Sequence, residues 1–226
     1  MEEKKDNVLN QTENVKKETM ETAKMFKETV KNVDIKEETQ NTKGFIVEMF
    51  KNPINKIKEI AKEDTKYFKT SIFILIIWVL AVFVKSSYST FYYFGIVRVF
   101  AKILDVLKDV LVPVIIVMVY SLMLLVLNKK EKKSLTGIIS TVTATQIPLV
   151  IASLLSILTI FSREFSKITF AFNGLCTAIT IILSFFGFKE VLNEEDNEKF
   201  IKKFILIQSI YYAIAVVLTF LGIYVY

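Results

Sequence analysis

The sequence predicts an all-α polytopic membrane protein, in which a bundle of about five transmembrane helices follows a cytoplasmic N-terminal helical arm. Three observations lead to this prediction. Hydrophobic residues make up 53% of the 226-residue chain, although its first 66 residues are polar. Five later segments have uncharged, apolar cores, and the lysines gather at alternate ends of these segments. The first two features indicate insertion into a bilayer, and the third indicates its direction.

Each of the five segments is long enough to cross a hydrocarbon core of roughly 30 Å, which takes about 20 helical residues. The predicted spans are residues 67–86, 110–128, 134–162, 168–188 and 204–226. Leu, Ile, Val and Phe occur on all sides of each segment, as expected for a helix surrounded by lipid or by other helices. Together, residues 67–226 form the predicted transmembrane domain.

Lysine clusters predict the orientation of the chain. They lie before the first span, between the second and third spans at Lys129, Lys130, Lys132 and Lys133, and between the fourth and fifth at Lys189, Lys199, Lys202 and Lys203. All three clusters fall on one side of a five-span bundle. Since positive loop charge stays in the cytoplasm, the N-terminus is predicted inside and the C-terminus outside.

The polar N-terminal segment divides into two parts. Residues 1–43 form a charged arm with a thin apolar stripe at helical spacing, which favours a solvated helix over one bound to a surface or a partner. Residues 44–66 carry a wider apolar face and precede the first span, which predicts an amphipathic juxtamembrane helix in the membrane interface. Pro53 is expected to begin the second part of that helix, because a helix start does not need its missing N–H.

Residues 87–108 link the first two spans and begin with a dense group of tyrosine and phenylalanine residues. Tyrosine suits the boundary between membrane and water, so we expect an aromatic belt followed by an interfacial helix. The alternative is a distorted sixth span, which would break the alternation of loop charge.

Catalytic chemistry has little support. The chain has no histidine and one cysteine, Cys176, which argues against triads, thiolate or imidazole metal sites, and disulfides within the chain. We therefore predict no enzyme activity, no catalytic or metal-binding residues and no cofactor. The acidic run Glu194-Glu195-Asp196 leaves a divalent-cation site as a minor alternative to a solvated loop. The net charge of +6 arises within residues 67–226, where it indicates loop charge and lipid contact rather than nucleic-acid binding.

Uncharged polar residues in the last three spans mark the candidate site. Thr141 and Thr145 share a face with Gly137, a small-residue ridge that allows close helix packing. Pro148 is expected to kink the third span, with Gln146 or a hydroxyl meeting the freed carbonyl of Ala144. The candidate seam consists of Thr141, Thr145, Gln146, Pro148, Asn173 and Gln208. Its role is either helix packing or contact with a lipid headgroup or small solute.

The order of these features resembles the Yip family of five-span membrane proteins. The resemblance rests on the Asn-Pro entry in Phe50-Lys-Asn-Pro53 and on Thr-Ala-Thr-Gln-Ile-Pro148-Leu in the third span, and it covers about residues 45–226. Eukaryotic members interact with small GTPases at internal membranes. Membership implies a non-enzymatic role in organising membranes or partner proteins.

The expected function is therefore that of a Yip-like scaffold that binds membrane lipids, and other membrane proteins through the bundle or the N-terminal arm. The alternative is a small-solute permease or channel component that uses the polar seam. Richness in Lys, Ile, Asn and Phe is typical of AT-rich bacterial genomes, so we expect a bacterial plasma membrane location.

Overall fold

A computed structural model describes the backbone of residues 2–31, 34–128, 133–162 and 164–223, and their side chains apart from 2–15 and 91–101. Several predicted features lie outside this part: the start of the arm's apolar stripe, the aromatic side chains at 91–94, Lys129, Lys130 and Lys132, and the C-terminal residues 224–226. Every regular element in the described part is helical. The helices are α1 Glu2–Lys31, α2 Ile35–Lys51, α3 Pro53–Lys62, α4 Phe68–Leu127, α5 Leu135–Thr145, α6 Ile147–Ser156, a 3-10 turn Ile157–Ile160, α7 Glu164–Leu192 and α8 Asn197–Phe220.

The predicted arm is helical and lies against the bundle. Asp34 caps α2 by accepting hydrogen bonds from the backbone amides of Lys36 and Glu37 at 2.9 and 3.2 Å. α1 contacts α4 and α5, while α2 runs across the predicted division at residue 43. Within α2, Glu38 is only 2% exposed and pairs with Lys69 of α4 at 2.9 Å. The charged arm is therefore attached to the first span.

α3 begins at Pro53, as predicted, and its apolar face is covered by protein. It packs against α5 and α7, and Ile57 and Ile60 are completely buried there. Its apolar face is covered by protein because α5 and α7 present small side chains at the point of contact, as described below. Phe50, before the proline, stays 69% exposed.

α4 contains the first two spans and the segment between them. In a straight helix, Ser86 and Asp109 would lie about 35 Å apart at 1.5 Å per residue. Instead the Ser86 hydroxyl donates to the Asp109 carboxylate at 2.6 Å, so the chain reverses direction between them. The two arms of α4, Phe68–Thr90 and Lys102–Leu127, are each long and apolar enough to span a membrane. The predicted interfacial helix is thus part of α4, whose backbone stays helical into the second span.

The third predicted span is interrupted. α5 and the segment Ile147–Ile160 are each too short to cross a membrane alone, and they meet at an angle of 50°, which fits a broken span or a re-entrant loop. All eleven residues of α5 are buried. α7 and α8 are the fourth and fifth candidate spans, and Asp196 caps α8. The structure thereby confirms the predicted all-α polytopic class, with four uninterrupted candidate spans and one bent pair in the described residues.

Candidate functional site: a polar seam beside a broken helix

Gln146 lies at the break between α5 and α6 and is 1% exposed. Its backbone amide donates to the carbonyls of Val142 and Thr143 at 3.2 and 3.1 Å, which closes the last turn of α5. Pro148, the second residue of α6, has no N–H for the preceding turn, so the helix cannot continue straight. The predicted kink is therefore present, and it is centred on Gln146. The Gln146 amide nitrogen donates to the Thr145 hydroxyl at 3.2 Å.

Thr141 and Thr145 form a helix-packing surface, as the small-residue ridge predicted. Their methyl groups face Gly187 of α7, where an added Cβ atom would lie 3.1 and 3.0 Å from them. The same Cβ atom would lie 3.0 Å from a methyl group of Ile57 in α3. Gly187 is thus a point of close approach among α3, α5 and α7. The hydroxyls of both threonines bond within α5, to the carbonyls of Gly137 and Val142.

A small cavity of about 70 Å³, here called the seam cavity, lies on the other side of the break. Residues of α4, α6, α7 and α8 surround it. Its lining is uncharged and mixes amide, hydroxyl, aromatic and aliphatic groups. The lining residues are Tyr120, Gln146, Leu149, Thr177, Thr180, Ile181, Gln208, Tyr211, Tyr212 and Ala215.

Two aromatic residues hold α8 at this cavity. The Tyr120 hydroxyl of α4 donates to the Gln208 amide oxygen of α8 at 2.9 Å. The Tyr120 ring also stacks on Tyr211, with centroids 4.6 Å apart and planes 19° apart. Such pairs contribute about 0.5–1.5 kcal/mol beyond area burial. The cavity therefore lies where the fifth span attaches to the rest of the bundle.

The structure brings together only some of the predicted seam residues. Gln146 and Gln208 line one cavity, although neither amide bonds to the other in the described contacts. Thr141 and Thr145 face α7 and α3. Asn173 does not line the cavity, and its described hydrogen bond is made by its carbonyl, which accepts from the Thr177 hydroxyl at 2.9 Å.

A second polar centre joins α2, α3 and the start of α4. The ammonium group of Lys56, 8% exposed as a residue, contacts Glu48 at 2.6 Å and both Glu59 and the Tyr67 hydroxyl at 3.1 Å. It also lies 4.8 Å from the centre of the Tyr67 ring, within cation–π range. Burial alone would lower the pKa of Lys56, but its hydrogen bonds to Glu48, Tyr67 and Glu59 outweigh burial and raise it.

Glu59 is the carboxylate most affected by this centre. A hydrogen bond donated by the Tyr67 hydroxyl lowers the pKa of Glu59, and Lys56 lowers it further against the opposing effect of burial. The centre therefore stays ionised at neutral pH and holds the three helices in one arrangement.

The acidic run before α8 is occupied by protein contacts. Glu194 is 7% exposed and pairs with Lys203 at 2.6 Å. Asp196 caps α8, and hydrogen bonds from the backbone amides of Lys199 and Glu198 help to lower the pKa of its carboxyl group. Glu190 lies 3.6 Å from Lys62. Among the described residues, no group of three or more ligand-type side chains is arranged to hold a metal ion.

Sequence reasoning missed several residues of both centres: Tyr120, Thr180, Tyr211, Lys56 and Tyr67. A tyrosine inside an otherwise aliphatic span was the available signal for Tyr120, since a hydroxyl at that depth requires a partner. Lys56 precedes Ile57 on the buried side of α3, whereas an exposed lysine would lie opposite the apolar face. Because Lys56 was counted with the lysines that set the orientation, its place on the buried side of α3 was not recognised.

Comparison of the chain with protein-family models, curated proteins and solved structures gave no match.

Proposed function

We propose that this chain is a non-enzymatic, Yip-like scaffold of the membrane, which binds a transmembrane helix of a partner protein through its fourth and fifth spans. One observation carries the proposal: α7 and α8 are poorly covered by their own bundle. In the most apolar 18 residues of each span, 39% are buried in either arm of α4, 22% in α7 and 6% in α8.

The exposed side of α7 is suited to another helix rather than to lipid alone. Asn173 lies about 14 Å along α7 from its start, which is within the hydrocarbon core if α7 crosses the membrane. Its side-chain amide has no partner among the described contacts, and such a group gains from bonding across helices. Gly174 lies beside it, and a Cβ atom there would meet no described atom within 4 Å. A partner backbone can therefore approach closely at this point.

Photo-crosslinking in native membranes tests the proposal. A benzophenone amino acid at Gly174 should give one discrete protein adduct, and Asn173→Leu should remove that adduct. The matched control is the same probe at Val126 of α4, which is 62% exposed and should react with lipid. Lipid adducts alone at both positions would contradict the scaffold.

We also propose that the N-terminus is cytoplasmic and that the membrane is a bacterial plasma membrane. The positions of the basic segments support this orientation. The Lys133 ammonium donates to the Lys62 carbonyl at 3.0 Å, and Lys62 lies 3.6 Å from Glu190, so the three lysine-rich segments meet at one end of the bundle. Reporter fusions after residues 66 and 196 should signal the cytoplasm, and fusions after 165 and 226 the outside. A cytoplasmic signal at 226 would contradict a five-span arrangement.

The second candidate function, a small-solute permease or channel component, is favoured by the seam cavity. Purified protein in liposomes should decide between the two functions. The scaffold predicts no flux of small neutral solutes above that of protein-free liposomes, whereas a permease predicts flux that Gln146→Leu reduces.

A further inference from the structure

The seam cavity contains hydrogen-bonding capacity that the protein does not use. Thr180 of α7 lines the cavity and is 6% exposed, and its hydroxyl oxygen has no hydrogen-bond partner in the described structure. Thr177, one turn earlier, also lines the cavity, but its hydroxyl is bonded to the Asn173 carbonyl. The two threonines therefore differ in one respect that matters: only the Thr180 hydroxyl lacks a protein partner.

Leaving a buried hydroxyl unpaired is unfavourable by about 1–3 kcal/mol. Gln146 faces the same cavity and gives one of its amide N–H groups to Thr145, which leaves a second N–H that requires an acceptor. The Tyr211 hydroxyl and the Gln208 amide belong to residues of the same lining. A ligand here must therefore accept hydrogen bonds, and it can also donate them to the hydroxyl oxygens.

Charge and size restrict the ligand further. The lining contains no charged side chain, and an ion without a counter-charge at this depth would be strongly destabilised. The volume of about 70 Å³ is enough for water, since one molecule needs about 10–15 Å³ of such space. A buried water makes two to four hydrogen bonds, and the cavity offers groups of that number and type.

We propose that the seam cavity is a water-binding site, in which ordered water molecules join Thr180 to the amides of Gln146 and of α8. The site goes beyond the proposed scaffold function and does not depend on it. It supplies partners to polar groups at the point where α8 attaches, so that the fifth span is held partly through water.

Hydroxyl-radical footprinting by radiolysis, with the full chain in phospholipid nanodiscs, tests this site. Bound water generates radicals in place, so Tyr211 should be oxidised although it lies within the bundle. Leu206, an exposed residue about 7–8 Å along α8 from Tyr211, provides the lipid-facing reference. We expect oxidation of Tyr211 to exceed that of Leu206 after correction for intrinsic reactivity, and to fall at least threefold in Thr180→Val.

Two further variants make the result specific. Thr180→Ser keeps the hydroxyl and should retain wild-type oxidation of Tyr211. Thr169→Val is the matched control, because Thr169 lies on α7 outside the cavity lining and its hydroxyl bonds to the Ser166 carbonyl, and it should leave the oxidation unchanged. The melting temperature provides a second measurement. In a dry cavity, Thr180→Val removes an unpaired hydroxyl and should raise the melting temperature, while in a hydrated cavity it should not. If Tyr211 is oxidised no more than Leu206, or equally in Thr180→Val and in the wild type, the proposal is overturned.

Discussion

Substituting alanine at two glycines of α7 tests the tight contact among α3, α5 and α7. Either change should gain about 1 kcal/mol, because alanine favours a helix interior over glycine by roughly that amount. At Gly187, however, the new methyl group would lie 3.0 Å from Ile57 and Thr145 and 3.1 Å from Thr141, inside the 3.5–4.0 Å of an ordinary carbon contact. At Gly174 it would meet no described atom within 4 Å.

The size of the effect follows from these distances. Overpacking a close contact destabilises by about 1–3 kcal/mol, and here methyl groups from two other helices must move apart together. Gly187→Ala should therefore be less stable than Gly174→Ala by about 1–3 kcal/mol. In a chain of this length each kcal/mol corresponds to roughly 2–4 °C in melting temperature.

Thermal melting of both variants in the same detergent measures the difference. Gly174→Ala should melt at or above the wild-type temperature, and Gly187→Ala clearly below Gly174→Ala. If the two variants melt together, then Gly187 is not in a close contact, and the burial of α3 between α5 and α7 is wrong.

Three further predictions concern the polar centres. Lys56→Met should lower the free energy of unfolding by about 1–2 kcal/mol. The loss is limited because the carboxylates that lose their partner are half-exposed and return to water. Lys58→Met, on the exposed side of α3, is the control and should change the melting temperature little. Acid should destabilise the same junction, because the pKa of Glu59 is lower in the folded than in the unfolded chain. Glu59 therefore stabilises the fold fully above its unfolded pKa, and this stabilisation is lost as the pH falls through its folded pKa. In Glu59→Gln, the melting temperature should depend less on pH in this acid range. Gln146→Leu should lower the melting temperature, since it removes the amide from a polar, fully enclosed position.

For each of these three predictions, one result would contradict the reasoning. Equal melts for Lys56→Met and Lys58→Met would show that the lysine is solvated. An unchanged acid profile in Glu59→Gln would assign the acid loss to other carboxylates. A Gln146→Leu variant as stable as wild type would make the seam incidental.

The lengths of the uncharged segments and the lysine clusters in the loops were enough to predict the helical class and the approximate spans. The reversal between the first two spans was part of that prediction, but the sequence did not indicate that the segment between them stays helical within α4. The burial of α3 was also out of reach: its amphipathic pattern fits a membrane surface and a protein groove equally well. Deciding between them requires knowing that Gly187 and the two threonines of α5 meet, which is a long-range contact.

The candidate site was partly predictable for a similar reason. Gln146 and Gln208 are conspicuous because an amide within an apolar span requires a partner. Thr180 is not conspicuous, since threonine hydroxyls in helices usually bond within their own turn, as Thr177 does. Only the structure separates the threonine that is paired from the one that is not.

The position of α3 also sets an order of events during synthesis. Ile57 is made about 130 residues before Gly187, the residue it packs against. At roughly 5–20 residues per second, the ribosome needs about 7–26 s to produce that part of α7. For this time the apolar face of α3 has no α7 to cover it, so the packing of α3 is completed only after the fourth span is made.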